Sequence, residues 1–169
     1  GSEFLVSRDL YGGSYRFFEE LQARQIAYFH YFNTLNELEE QISSTIAAVF
    51  LETPTNPLMT EIDVSAVAEI AHQVNALLIV DNTFLTPLRQ KPLELGADLV
   101  LHSGTKFLTG HNDILAGVII AKEVSLGERL TYLANTTGPT LSSFDCWLFI
   151  RSLKTLPLRF ERQEQNAKE

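Results

Sequence analysis

Two short apolar runs near the middle of the chain end abruptly in polar residues. Ala76–Val80 stops at Asp81, and Ala97–Leu101 is followed directly by the sequence HSGTK, residues 102–106. Apolar runs bounded by polar residues are typical of strands that are covered on both faces, as in parallel sheets. We therefore predict two buried strands whose carboxyl ends carry an acid and a polar, lysine-containing segment.

The rest of the chain alternates between strand and helix patterns. Strands are predicted over Tyr28–Phe32, Ile46–Leu51 and Gly117–Ala121, and helices over Ser14–Ile26, Asn36–Ile42 and Val64–Val74. Asp63 is expected to cap the last of these helices. The proline-containing segment 52–61 is predicted to be a loop, and the residues from Glu123 onward are predicted to be mostly helical, with a break at 135–142. This alternation predicts an α/β fold with a mostly parallel sheet flanked by helices.

Composition and charge narrow the possible partners. The chain has 169 residues, of which 45% are hydrophobic, and this fits one globular domain. Its net charge of −8 argues against a nucleic-acid or anionic-membrane partner. The single cysteine, Cys146, cannot form an intramolecular disulfide, and no apolar run has the length of a membrane span. We therefore expect a cytoplasmic protein with a small-molecule ligand and no metal site.

The two polar strand ends carry groups that could meet on one ligand. Adjacent strands lie about 4.8 Å apart, so Asp81 and Lys106 can approach the same small molecule. A lysine amine can attack a carbonyl, and a buried carboxylate needs a partner such as a protonated ring nitrogen. The hydroxyls of Ser103 and Thr105 suit an anion such as a phosphate. Together these groups match the requirements of pyridoxal 5′-phosphate (PLP).

Each residue also has a plainer interpretation, and other protein classes remain open. Lys106 alone could be an ordinary exposed lysine, and Asp81 alone could cap a turn. A nucleotide-binding sheet domain would need a glycine-rich phosphate turn such as GxGxxG, which the sequence lacks. A non-catalytic fragment that acts only as a folding or assembly module is the remaining alternative.

Several motifs in one order resemble a known family. They are DLYGGSYRFF, ETPTNP, DNTF, HSGTKFLTGHNDILAG and DCWLFIRSLKTLPLR, which begin at residues 9, 52, 81, 102 and 145. The set resembles the PLP-dependent enzymes of cysteine and methionine metabolism, namely cystathionine γ-synthase and the cystathionine β- and γ-lyases. The resemblance implies the large PLP-binding domain of fold-type I enzymes, which is similar to that of aspartate aminotransferase.

The resemblance also implies roles for the residues at the strand ends. Lys106 would form the Schiff base with PLP and carry protons during the reaction. Asp81 would pair with the pyridine nitrogen, and Ser103 and Thr105 would bind the phosphate.

Three further residues receive roles from the resemblance. Tyr11, in the YGG motif, would stack on the cofactor ring and assist proton transfer. Asn56 would lie near the phenolic oxygen of the cofactor, and Thr83 is a further candidate contact. Gly104 stands where alanine is commoner in the family, a change that removes no ligand.

The implied function is trans-sulfuration of sulfur amino acids, in methionine biosynthesis or cysteine metabolism. The motifs are most similar to cystathionine γ-synthases and O-acylhomoserine-type transferases, with the β- and γ-lyases as the alternative. The resemblance implies an amino-acid substrate and a homotetramer built as a dimer of dimers.

The expected domain limits follow from the same resemblance. Residues 1–4, GSEF, are interpreted as cloning residues, and residues 5–169 as a large PLP-binding domain truncated at both ends. Family members carry an N-terminal arm before this region and a C-terminal domain after it. We therefore expect an active parent enzyme, whereas this chain alone would be inactive or weakly active.

Overall fold

The computed structural model describes residues 1–169 and contains one six-stranded sheet. The strands are β1 Ser2–Ser7, β2 Ala27–Phe32, β3 Ile46–Glu52, β4 Leu77–Asp81, β5 Leu99–Ser103 and β6 Gly117–Ala121. Their order in the sheet is β2-β1-β3-β4-β5-β6, and every neighbouring pair is parallel except β5 and β6, which are antiparallel. The prediction of an α/β fold with a mostly parallel sheet is confirmed.

Seven helices accompany the sheet. They are α1 Gly12–Ala23, α2 Leu35–Gln41, α3 Val64–Gln73, α4 Thr86–Arg89, α5 Val124–Thr137, α6 Ser143–Leu153 and α7 Leu156–Lys168. The predicted N-cap of α3 is confirmed, because Oδ1 of Asp63 accepts hydrogen bonds from the backbone N–H groups of Ser65 and Ala66. The single-turn helix α4 lies outside the predicted helical segments, and α5 continues to Thr137, into the predicted break at 135–142. None of these helices combines the length and the apolar character that crossing a membrane requires.

The two faces of the sheet are packed differently. One face carries a core of 16 buried residues, in which Leu78 and Val80 of β4 belong with Val67 of α3. The other face carries a smaller, partly aromatic cluster, in which Phe18 of α1 stacks on Phe29 with ring centroids 4.5 Å apart. The core therefore lies mainly on the α3 side, and the opposite side is more open.

The alternation of side chains along each strand determines what reaches the open side. Ile79 and Leu101 pack against the smaller cluster. Asp81 and Ser103 come two positions later on the same strands, so their side chains leave the sheet on the same face. Glu52 follows Phe50 of that cluster in the same way. Three polar side chains at the ends of three adjacent strands thus point to the same side.

The first residues of the chain belong to the sheet. Ser2 pairs with Ala27 and Phe4 with Phe29, and the rings of Phe4 and Phe29 stack with centroids 5.3 Å apart. Glu3 also pairs with Ile46 on the opposite side of β1. The strand β1 therefore starts at Ser2, because its backbone groups find partners on both sides, and the interpretation of residues 1–4 as cloning residues stays a prediction.

Candidate active site

A cavity of about 680 Å³ lies at the carboxyl ends of β3, β4 and β5. All seven residues that the sequence analysis selected line it: Tyr11, Asn56, Asp81, Thr83, Ser103, Thr105 and Lys106. A second depression of about 730 Å³ lies between β6 and α5 and contains none of them. The structure thus brings the acid, the amine and the hydroxyls to one place, and their roles there remain predictions.

Thr83 fixes the carboxylate of Asp81. Its backbone N–H and its hydroxyl donate to Oδ1 of Asp81 at 2.9 and 2.6 Å. The hydroxyl oxygen of Thr83 also accepts a hydrogen bond from the backbone N–H of Ser103 at 2.7 Å, which connects β4 to β5. Oδ2 of Asp81 makes no hydrogen bond within the protein and can accept one from a ligand. Within the protein, Thr83 therefore contacts Asp81 and Ser103, and its contact with a cofactor stays a prediction.

Lys106 lies in a tight turn directly after β5. Its backbone N–H donates to the carbonyl of Ser103 at 3.3 Å, and its carbonyl accepts from Gly110 N–H at 2.8 Å. The ammonium group makes no ion pair or hydrogen bond within the chain. Lys106 is exposed and Asp81 is half-buried, so the carboxylate that was expected to be buried is partly open to solvent.

The two predicted phosphate ligands differ in their hydrogen bonds. The hydroxyl of Thr105 donates to the carbonyl of Ala116 at 3.3 Å and accepts from its N–H at 3.0 Å. This pair joins the two ends of the β5–β6 connection. The hydroxyl of Ser103 makes no hydrogen bond within the protein. Ser103 is thus the readier anion ligand, and Thr105 would have to exchange a backbone contact to act as one.

Arg159 of α7 contacts the turn that carries Lys106 and stabilises it through hydrogen bonds to its backbone. Its guanidinium donates to the carbonyls of Phe107 and Leu108 at 2.9 and 3.2 Å, and to the carbonyl of Ser152 at 3.0 Å. Gly110 lies against the same group at φ +71°, and a Cβ there would lie 2.0 Å from a guanidinium nitrogen. Burial lowers the pKa of Arg159. Local sequence patterns do not reveal this contact, because Arg159 lies far along the chain from Phe107.

Glu52 is the second residue that the sequence analysis did not select. It ends β3, lines the cavity and is only 8% exposed. Its Oε2 accepts from the backbone N–H of Tyr11 at 2.7 Å, and its Oε1 accepts from that of Asn56 at 3.0 Å. Burial raises the pKa of Glu52, and the nearby carboxylates of Asp81 and Asp9 add to this. The available signal was its position, since Glu52 ends an apolar strand just as Asp81 does.

His102 of the HSGTK sequence lies on the opposite face of β5. It is buried, and its Nδ1 has no hydrogen-bond partner. Burial lowers the pKa of this imidazole, so the neutral form is favoured. His102 therefore belongs to the layer beneath the site and does not line the cavity.

The residues present fit PLP. The cofactor needs an amine, a carboxylate for its ring nitrogen and hydrogen-bond donors for its phosphate. The cavity offers Lys106 Nζ, Oδ2 of Asp81 and the hydroxyl of Ser103, and none of the three makes a hydrogen bond within the protein. Tyr11, half exposed at the rim, adds an aromatic face. The volume lies within the range that small-molecule sites usually have, about 300–1,000 Å³.

Comparison with known proteins agrees with this fit. The family model described as Cys/Met metabolism PLP-dependent enzyme matches residues 1–169. The cystathionine gamma-synthase/O-acetylhomoserine (thiol)-lyase of Bacillus subtilis is 50% identical over 100% of this chain and 46% of its own length. The cystathionine gamma-synthase of Haemophilus influenzae is 48% identical over 98% of this chain and 46% of its own length.

A solved structure is similar as well. The cystathionine gamma-lyase of Lactobacillus plantarum, complexed with L-serine, superposes with a TM-score of 0.91 at 40% identity. The match covers 94% of this chain and 42% of that protein. The chain therefore spans a little under half the length of the relatives that it matches.

Proposed function

Because the chain belongs to the Cys/Met metabolism PLP-dependent enzyme family, we propose that it forms the cofactor-bearing part of a trans-sulfuration enzyme. The proposed reaction is replacement at the γ-carbon, of the cystathionine γ-synthase or O-acylhomoserine type. Among the curated relatives, identities of 50% and 48% to two cystathionine gamma-synthases, against 43% to the cystathionine gamma-lyase of Bacillus subtilis, support this choice. The observation that carries the proposal is the meeting of Asp81 and Lys106 in one cavity at the ends of adjacent strands.

The strand-end residues would hold the cofactor as follows. Lys106 would bind the aldehyde of PLP covalently through Nζ, and Oδ2 of Asp81 would accept a hydrogen bond from the ring nitrogen. Ser103 would bind the phosphate, joined by Thr105 if its hydroxyl leaves Ala116. An ionised carboxylate at the ring nitrogen favours the protonated ring, since opposite charges stabilise each other at short range.

Three residues on the other elements would complete the site. The ring of Tyr11 would cover one face of the cofactor, and Asn56 would lie beside the cofactor and the substrate. Thr83 would act mainly through Asp81, because its hydroxyl donates to that carboxylate.

The residues of the chain would then move protons. When bound, PLP supplies the electron sink that acidifies the Cα–H of an amino-acid substrate. Once the amino group of the substrate has displaced it from the cofactor, Lys106 Nζ would be a free amine that accepts this proton and returns it at a neighbouring carbon, which is general base and general acid catalysis by one amine. The hydroxyl of Tyr11 would assist at the same position. The substrate would therefore be an amino acid with a leaving group on its side chain.

We propose that the full-length protein assembles as a homotetramer in the cytoplasm. Support for assembly comes from α6, where Phe144, Trp147 and Ile150 are 66%, 57% and 60% exposed along one side of the helix. Exposed apolar patches of this kind commonly mark interfaces. Sedimentation of the full-length protein would measure the stoichiometry, and a monomer would contradict the proposal.

Covalent labelling tests the cofactor assignment. The purified chain would be mixed with PLP, reduced with borohydride and digested for peptide mapping. We expect the label on Lys106, none in Lys106→Ala, and unchanged labelling in Lys154→Ala, which alters an exposed lysine outside the cavity. Label on other lysines, or its retention in Lys106→Ala, would overturn the assignment.

The reaction type requires the full-length protein. Formation of cystathionine from an O-acylhomoserine and cysteine would be compared with cleavage of cystathionine to a thiol and a keto acid. Formation as the dominant activity is the expected result. Dominant cleavage would replace the proposed synthase with a lyase and leave the cofactor assignment intact.

A further inference from the structure

One buried carboxylate connects two separate loops of the cavity. Oε2 of Glu52 receives the N–H of Tyr11, in the loop after β1, and Oε1 receives the N–H of Asn56, in the loop after β3. The backbone N–H of Glu52 itself donates to Oγ of Ser7 at 3.3 Å, which joins the ends of β1 and β3. Each carboxylate oxygen therefore has one backbone donor, and each donor belongs to a residue that lines the cavity.

We propose that Glu52 is a positioning residue that sets Tyr11 and Asn56 at the cofactor cavity by binding their backbone N–H groups with its two oxygens. The inference rests on the proposed function insofar as Tyr11 and Asn56 are taken to face PLP. The geometry itself does not depend on a ligand. A neutral side chain with one oxygen, such as glutamine, could satisfy only one of the two donors.

The surroundings of Glu52 explain why its charge matters. Asp81 of β4 and Asp9 of the loop after β1 are close enough to raise its pKa, and burial raises it further. Lys106 is the only cation that lines the cavity, and Tyr11 is the other titratable neighbour. The hydrogen bonds from the backbone N–H groups of Tyr11 and Asn56 act in the opposite direction, because they stabilise the ionised carboxylate of Glu52 and lower its pKa.

Protonation should therefore loosen one side of the cavity. The oxygen that gains the proton becomes a poorer acceptor, so one of the two loop contacts weakens. The carboxylate of Asp81 is held separately by Thr83 and would keep its position. We expect Tyr11 and Asn56 to be less well ordered under mildly acidic conditions than near neutral pH.

Amide NMR of the chain without cofactor tests the positioning directly. The N–H resonances of Tyr11 and Asn56 should titrate together, with one midpoint above the ordinary glutamate value of 4.5. Glu52→Gln should abolish the shared titration, and Glu61→Gln, an exposed glutamate in the same loop region, should preserve it. Should Glu52→Gln fail to fold, the wild-type titration decides alone. Independent midpoints, or no titration at either amide, would overturn the inference.

Cofactor binding supplies the second measurement. Replacing Glu52 by glutamine should raise the dissociation constant of PLP by roughly tenfold, as expected for the loss of one charge-assisted hydrogen bond. Glu52→Asp should also bind PLP more weakly than wild type, because the shorter side chain cannot reach the backbone N–H groups of both loops. An unchanged PLP affinity in Glu52→Gln would overturn the link to the cofactor.

The two proposals can fail separately. If the amides titrate as expected but borohydride does not fix PLP on Lys106, the cofactor assignment fails and the positioning by Glu52 stands. If Lys106 is labelled and the amides do not respond to Glu52, the positioning fails and the cofactor assignment stands.

Discussion

The two sides of the cavity are held by opposite charges. On the lysine side, residues 103–110, the guanidinium of Arg159 donates to backbone carbonyls. On the tyrosine side, the loops that carry Tyr11 and Asn56, the carboxylate of Glu52 accepts from backbone N–H groups. Each side uses a distant charged side chain to satisfy main-chain groups that no regular secondary structure satisfies.

The two sides differ in whether the charged side chain that holds them can lose its charge as the pH changes. A guanidinium keeps its charge throughout the pH range in which proteins fold, so the lysine side should be insensitive to pH. A carboxylate whose pKa is raised can lose its charge at mildly acidic pH. We therefore expect the turn that carries Lys106, the proposed attachment point, to be the constant part of the site, and the loops that carry Tyr11 and Asn56 to be the adjustable part.

The largest expected effect is on the lysine side. Arg159→Met would leave the carbonyls of Phe107 and Leu108 without their side-chain donor, whereas the carbonyl of Ser152 would keep its hydrogen bonds from Thr155. We expect the free energy of unfolding to fall by about 3 kcal/mol, the usual cost of leaving buried polar groups unpaired. Urea denaturation measures this. Arg162→Met, an exposed arginine of the same helix, should change stability by less than about 0.5 kcal/mol. Equal effects of the two substitutions would contradict the role of Arg159.

Gly110→Ala tests the same side with a smaller change. The new methyl group would lie 2.0 Å from a nitrogen of Arg159, on a backbone at φ +71°. We expect a loss of about 2 kcal/mol from strain and displacement of the guanidinium. Gly127→Ala in α5 is the control, because its nearest neighbour would be 3.9 Å away and alanine favours a helix. A stable Gly110→Ala protein would show that the guanidinium can move without cost.

Thr83→Val tests the strand ends between the two sides. Valine has the same shape but removes the donor to Asp81 and the acceptor for Ser103 N–H. We expect a loss of about 1–2 kcal/mol, since one buried N–H loses its partner. Thr131→Val on α5 is the control, because that exposed hydroxyl bonds only to a helical carbonyl. Thermal denaturation measures this loss. Equal decreases in melting temperature in the two variants would show that Thr83 does not support the site.

The smallest expected effect is the pH dependence that Glu52 contributes. Its pKa is raised from 4.5 in the folded state, chiefly by burial, so the folded protein binds a proton more tightly than the unfolded chain. Stability from this group is therefore greatest at low pH and falls as pH rises from 4.5 through the folded pKa. The change is about 1.4 kcal/mol for each pKa unit.

His102 contributes a pH dependence of stability with the opposite sign, and the experiment must separate it from the contribution of Glu52. Burial lowers its pKa below 6.5, so this group destabilises the fold as pH falls from 6.5 through the folded pKa. The stability of wild type minus that of Glu52→Gln, measured by urea denaturation from pH 4 to pH 8, removes the histidine contribution. A difference that does not vary with pH would contradict the shifted pKa of Glu52.

The sequence predicted the sheet and the strand-end residues because both follow local rules. An apolar run that ends at Asp81 or before HSGTK can be recognised without knowing its neighbours, and the rule that parallel strands share an edge brings the two ends together. The helix start at Asp63 was equally local. Motif resemblance added Tyr11 and Asn56, which no periodicity would have selected.

The features that were missed depend on contacts between distant residues. Glu52 is 41 residues from Tyr11, and Arg159 is 52 residues from Phe107. The strand β1 has a short apolar core, and its pairing on both sides determines where it begins. The position of Glu52 at the end of an apolar strand can be read from the sequence, but none of these long-range contacts follows from the spacing of residue types.

The hydrogen-bonded pair of Thr105 and Ala116 has a consequence for the order of folding. It closes a ring of main chain around Lys106 whose ends are only 11 residues apart, and it continues directly into the antiparallel pairing of β5 and β6. Short-range closures cost little chain entropy and form early, whereas parallel pairing of distant strands is slow. The hairpin that bears Lys106 can therefore form as a local nucleus, and the later arrival of β1 and β3 would complete the cavity around it.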